Sequence, residues 1–342
     1  EEHCPLCFGS DLCEDISAGF LTLSSDAPRT EDGAKLFDAQ LADLHKLTVK
    51  VPSSDRFVHL DTLVCKNASM AASCSPGLAA AQTFLAKTDT LTTRGMYRLL
   101  RALDITRSHY PLLMCPSKKL LGVIERTFDD NDDHIMSVDE KLAMYTTLTA
   151  APEFVILKLL TKANLNVGFP RLVGVCGRIG VIEGELTPLA SLLEEPFNVR
   201  ASLAAQILTM VDDFMEDDPE WYLFYGSWTL EKLAVNKEGE VVLTDLAEMA
   251  IVDKAYFRDD YEDGTESRQQ LVCNNECFQR FTQEIYREDN SMDESCARVE
   301  EVGHLMYASV CAMILSDMKQ HKYVDLFNSP SGAKQHPRTT QG

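Results

Sequence analysis

Residues 221 to 254 read WYLFYGSWTLEKLAVNKEGEVVLTDLAEMAIVDK. Within this stretch, Leu233-Ala234-Val235 and Val241-Val242-Leu243 are short apolar runs separated by the polar, glycine-containing Asn236-Lys237-Glu238-Gly239-Glu240. Two such runs joined by a short polar turn predict a β-hairpin. Its second strand delivers Asp245 just past its end.

A hairpin ending in an acid is how the protein kinase fold presents the aspartate that holds Mg²⁺ against nucleotide phosphates. Here the corresponding triplet is Asp245-Leu246-Ala247. In that fold a base aspartate lies upstream, with a metal-binding asparagine five positions after it and roughly a dozen residues before the hairpin's acid. Thirteen residues before Asp245 stands Lys232, and five before that stands Ser227. A serine hydroxyl does not accept a proton near neutral pH as a carboxylate does, and an ammonium does not ligate a metal. The spacing predicts a kinase-like scaffold with its base position degenerate at Ser227 and its metal-asparagine position degenerate at Lys232. The plainer reading is that Asp245 merely ends an ordinary hairpin.

Working outward, residues 201–215 carry Ile207, Leu208 and Val211 at helical spacing. Residues 172–183 read as a second hairpin turning at Cys176-Gly177, and Gly184-Glu185-Leu186 follows as a hinge between two lobes. Far upstream, alternation over residues 46–51 predicts a strand with its lysines on one face. Lys50 is the candidate for the lysine that pairs with nucleotide phosphates; the other reading is an ordinary solvated lysine. No GxGxxG precedes it. Helices are also expected at 78–86, 95–103, 118–128, 154–160, 277–286 and 300–318, with Cys115-Pro116-Ser117 as the capping segment of the third.

Residues 129–140, DDNDDHIMSVDE, place oxygen ligands at positions 1, 3, 5, 9 and 12 of a twelve-residue loop between helix-like segments. That is EF-hand spacing, with His134 where glycine normally turns the chain. A solvated acidic loop and a calcium site are the two readings.

The 342 residues, 45% of them hydrophobic, are enough for a large core. Thirty-two Lys+Arg against 53 Asp+Glu give a net charge of -21, which argues against nucleic acid or an acidic membrane surface as partner. Eleven cysteines point to an oxidising compartment. Cys4-x-x-Cys7 reads as a disulfide set rather than a zinc site, and Cys273-x-x-x-Cys277 likewise. An odd count leaves a thiol over, and Cys311, in an apolar helical run, is the candidate for a buried one. No stretch approaches the ~20 apolar residues of a membrane span. The start at Glu1-Glu2-His3 fits a mature chain whose secretory signal has been removed, and Asn67-Ala68-Ser69 is a glycosylation sequon.

Several segments together resemble the divergent protein kinase domain proteins of the deleted-in-autism type, a secretory-pathway family with a kinase-like fold. They are CPLCFGSDLC, VCKNASMAASC, LLMCPSKKLL, GFPRLVGVCGRIGVIEGEL, LAVNKEGEVVLTDLAEMAIVDK and CNNECFQRFTQEIY, in that order along the chain. The resemblance implies an α+β, two-lobed, disulfide-bonded fold with a strand-rich N-lobe and a helical C-lobe. A cysteine-rich leader (1–20) would pack on an N-lobe (21–186) with helical insertions, followed by a C-lobe (187–325) and a disordered tail (326–342). It also implies Lys50 and Asp245 as cofactor-binding residues, Asp245 as the metal ligand, and ATP with Mg or Mn as cofactor. A sister branch carries an EF-hand in its small lobe, which adds calcium as a candidate ligand of 129–140.

Two departures stand against the family pattern. Ser227 and Lys232 replace an aspartate and an asparagine, and Arg56 falls near the place expected for the glutamate that would pair with Lys50. The expectation is a secreted or Golgi-lumenal pseudokinase that binds a protein partner or cell-surface receptor, as an extracellular signal or regulator. The alternative is an active protein or glycan kinase, with Glu231 or Asp253 substituting for the missing base.

Overall fold

The computed structural model describes residues 4–24, 27–31, 33–41, 45–68, 74–82, 112, 117–129, 135–162, 168–216, 220–254 and 306–315. One antiparallel sheet organises the first lobe. Its strands are β1 (Leu21–Leu23), β2 (Arg29–Glu31), β3 (Ala34–Leu41), β4 (His45–Val51), β5 (Leu172–Cys176) and β6 (Ile179–Glu183). They run in the order β1-β3-β4-β6-β5, with β2 paired to β3. Strand alternation sends successive side chains of β4 to opposite faces. Leu47 and Val49 join Ala39 and Val181 in a small apolar cluster, while Thr48 and Lys50 are buried on the other face. Strand β3, which the polar spacing of 35–44 did not announce, pairs with β4 along its whole length, from Lys35 opposite Val51 to Leu41 opposite His45.

Between β4 and β5 the chain inserts helices α2 (Ser54–Asn67), α3 (Pro76–Gln82), α4 (Lys118–Phe128), α5 (Val138–Ala150) and α6 (Pro152–Lys162); a short α1 (Cys13–Ser17) precedes β1. Their starts follow capping chemistry. Ser117 accepts the Leu120 N–H at 3.0 Å, and Ser137 with Glu140 forms a reciprocal capping box at the head of α5. Pro152 begins α6, where its missing N–H costs no hydrogen bond. The chain bends by 117° between α5 and α6, and both are largely buried in the core. No single described helix is long and apolar enough to cross a membrane.

The second lobe begins with β7 (Thr187–Pro188), followed by the long helix α7 (Phe197–Glu216). Strand β8 (Trp221–Tyr225) pairs with β11 (Met249–Asp253), and the hairpin β9 (Leu233–Val235) and β10 (Val241–Leu243) joins β7 in a three-stranded sheet. The central hairpin is closed by its own turn chemistry. Asn236 Oδ1 accepts the N–H groups of Glu238 and Glu240, and Gly239 takes φ +84°, a conformation that side chains resist. From α7, Gln206 Oε1 accepts the Val241 N–H at 2.8 Å and fixes the hairpin to the helix. This is the two-lobed α+β arrangement expected from the sequence, and one hydrophobic core runs through it from Phe8 and Phe154 to Phe214 and Trp228.

Three disulfides lie among the described residues: Cys4–Cys7, Cys13–Cys176 and Cys65–Cys74. The Cys311 expectation is corrected: the residue is exposed and in no disulfide. Over Met306–Leu315 the buried positions are Met306, Ser309, Val310 and Ile314, a stripe that leaves Cys311 on the solvent side with Met313. The remaining cysteines, and the helices expected at 95–103 and 277–286, lie outside the described residues.

Candidate functional site

Lys50 sits opposite Gly180 in the β4–β6 register. A Cβ on Gly180 would lie 2.4 Å from the Phe154 ring, so the absence of a side chain there is what lets α6 approach the sheet at this point. The preceding residue on α6, Glu153, thereby reaches Lys50, with Nζ and Oε1 3.6 Å apart and both side chains buried. Lys50 Nζ also donates to the Thr244 carbonyl at 3.4 Å, from the end of β10. The strand lysine is thus a buried ion-pair member rather than a solvated side chain.

Arg56 lines the same cleft from the exposed first turn of α2, but it is not the residue that answers Lys50. Glu153 does so from beyond three further described helices. Its signal in the sequence was a single acid in the run PEFVILKLL, at a position the helix buries.

On the opposite wall, the Thr244 N–H and hydroxyl both bond to the Lys232 carbonyl, at 2.9 and 3.0 Å. This lock sets the Lys232 ammonium 3.4 Å from Asp245 Oδ2 and 3.6 Å from Glu248 Oε1. Asp245 Oδ1 accepts the Ala247 N–H at 3.0 Å. Ser227 donates its hydroxyl to Glu248 Oε2. Ser227, Glu248, Lys232 and Asp245 therefore form one continuous polar chain. Glu248 is a site residue the sequence reading did not single out, although it follows the Asp245-Leu246-Ala247 triplet directly.

The cleft between these walls has a volume of ≈ 250 Å³, with Ala34, Lys50, Arg56, Glu153, Asp245 and Glu248 in its lining. The charges decide what it can hold. Burial would raise the Asp245 pKa, but the ammonium groups of Lys50 and Lys232 and the Ala247 N–H outweigh it and hold the carboxyl below the ordinary value. A folded-state pKa below the unfolded one contributes stability that is fully present above about pH 4 and is lost as pH falls through the lower folded value. Urea titrations at descending pH are accordingly expected to show a flatter acid limb for Asp245→Asn than for the wild type.

A divalent metal does not fit this arrangement. Asp245 already faces an ammonium, and the side chain at the second ligand position is that same Lys232. The other expected acids are elsewhere. Glu231 is exposed in the turn before β9, and Asp253 is buried at the end of β11 opposite Trp221. Neither lines the cleft. Asn67 closes α2. In the acidic loop, Asp129 ends α4 and the Glu140 carboxylate accepts the Ser137 N–H at 2.6 Å; residues 130–134 lie outside the described residues.

A strand lysine ion-paired to a helix glutamate, facing a hairpin aspartate across a cleft between two lobes, defines a protein-kinase-like domain. Residues 144–329 match the family described as the protein-kinase domain of FAM69, and the chain belongs to that family. It is similar to "Divergent protein kinase domain 2A" of Homo sapiens, 24% identical over 333 residues, covering 92% of this chain and 73% of that one. The Xenopus tropicalis protein of the same description is 23% identical over 332 residues, with the same coverage. "Divergent protein kinase domain 2B" of Homo sapiens is 22% identical over 269 residues, covering 74% and 60% of the two chains.

Proposed function

We propose that this kinase-like protein is a pseudokinase of the secretory route, secreted or resident in the Golgi lumen, that acts by binding a protein partner or cell-surface receptor as an extracellular signal or regulator. The observation that carries the reading is the Lys232 ammonium 3.4 Å from Asp245. It supplies a fixed single positive charge where a phosphotransferase uses an exchangeable metal ion to gather the phosphates. The base position adds to this. The Ser227 hydroxyl is a hydrogen-bond donor to Glu248, so it is oriented as a donor and not as a proton acceptor.

The export route is supported by the three disulfides, which persist where thiols are not kept reduced, and by the sequon at Asn67. Export makes glycosylation of Asn67 part of the proposal.

One observation favours a second reading, that of an active atypical protein or glycan kinase using ATP. The Lys50–Glu153 pair is intact, and the Glu248 carboxylate at Ser227 is a better placed substitute base than Glu231 or Asp253. The readings separate by ATP turnover in Mg²⁺ or Mn²⁺, measured for the wild type and for Asp245→Ala. The binding reading expects no turnover in either protein; turnover in the wild type that the substitution abolishes would overturn it.

A further inference from the structure

The leader preceding α1 does more than cap the sheet. The Phe8 N–H donates to the Gly177 carbonyl at 2.7 Å, Gly177 returns a bond to the Gly9 carbonyl at 2.9 Å, and the Leu12 N–H bonds the Val175 carbonyl at 3.0 Å. The leader is thus laid along the β5–β6 turn, and the Cys13–Cys176 disulfide fixes it there across 163 residues of sequence. Arg178, at the same turn, donates from Nε to the Leu6 carbonyl at 3.0 Å and makes two bonds to the Asp61 carboxylate of α2. Together these contacts hold the leader, with Phe8 in it, against the β5–β6 turn.

Phe8 is almost wholly buried. Its ring lies 5.5 Å from that of Phe57 on α2 and 5.2 Å, edge to face, from that of Phe154 on α6. Phe154 is the residue that rests on Gly180 opposite Lys50, and it is the immediate neighbour of Glu153. Close-packed rings transmit displacement because the interior has no slack to absorb it. Phe8 fills the space beside Phe154 on one side and Gly180 meets that ring on another, so the placing of Glu153 against Lys50 depends on the packing around Phe154.

We propose that Phe8 is a positioning residue for the Lys50–Glu153 pair, so that the disulfide-tethered leader sets whether that pair is closed. The inference does not depend on whether the cleft binds a nucleotide.

Lysine acylation by N-hydroxysuccinimidyl acetate, read residue by residue by peptide mass spectrometry, tests it on the intact chain. Lys50 and Lys232 are both buried, so Lys232 reports general loosening and Lys50 reports the pair. In Phe8→Ala the Lys50 acylation rate is expected to rise about tenfold while that of Lys232 stays at the wild-type value, as local opening requires. Phe8→Leu, which refills most of the space, should return Lys50 toward wild type. Should Phe8→Ala not fold, Arg178→Gln removes the bond to the leader at Leu6 and the ion pair to Asp61 on α2, and is expected to raise Lys50 reactivity selectively. Unchanged Lys50 protection in a folded variant, or an equal rise at both lysines, would overturn the proposal.

Discussion

Lys232→Asn is expected to destabilise the protein by about 2–3 kcal/mol, short of the roughly 3–5 kcal/mol of stranding a buried charge outright, because Asp245 keeps the Lys50 ammonium nearby. The lost partner is that of Asp245, whose side chain is only 9% exposed, and Glu248 loses the same ammonium. The substitution also restores an amide oxygen at the place where kinases carry one. Millimolar Mn²⁺ should then recover part of the loss, about 1–2 kcal/mol if the free ion exceeds its dissociation constant tenfold or somewhat more. Melting curves of the wild type and the variant, with and without Mn²⁺, give both numbers. The wild type should show no Mn²⁺-dependent shift that Asp245→Asn removes. A variant as stable as the wild type would mean that the ammonium neutralises nothing.

The second large effect concerns the other wall. Lys50 and Glu153 are buried to the same degree, at 4% and 5% side-chain exposure, and each is the other's nearby opposite charge. Lys50→Met should cost about 3–5 kcal/mol, because it strands the Glu153 charge in the core, and Glu153→Leu should cost less, because Lys50 keeps Asp245 and the Thr244 carbonyl. The double variant should cost less than the sum of the two by about 2 kcal/mol or more, the coupling expected of a direct contact. Denaturant titration of the four proteins measures it. Additive losses would mean that the two side chains do not act as a pair, and that the kinase-like geometry of this lobe is nominal.

How much of this could be read from the sequence depends on how local each determinant is. The β9–β10 hairpin was legible because the Asn236 side chain and Gly239 write its turn into five consecutive residues, and Asp245 follows from its end. Lys50 was placed on a strand by period-two alternation, which is also local. Glu153 was not found because nothing near Lys50 specifies it. Its role is set by Gly180 on another strand, which admits Phe154 and so brings Glu153 across. In the sequence it was one acid in an apolar helix.

Lys232 shows the opposite limit. Spacing marks it as the wrong residue for a metal ligand, but residue type alone does not show that its ammonium reaches Asp245. Glu248 is not legible from spacing because its role, linking Ser227 to Lys232, depends on contacts 21 and 16 residues away in sequence. Cys311 went wrong by phase. An apolar run buries some positions and exposes others, and composition does not say which.

The proposed function rests on the Lys232 ammonium standing beside Asp245 where a phosphotransferase holds a metal ion. Isothermal titration of Mn²⁺ in the presence of ATP, into the wild type, Asp245→Asn and Lys232→Asn, tests it most directly. The account predicts identical titrations for the wild type and Asp245→Asn, and one additional site in Lys232→Asn alone. A Mn²⁺ site in the wild type that disappears in Asp245→Asn would contradict it.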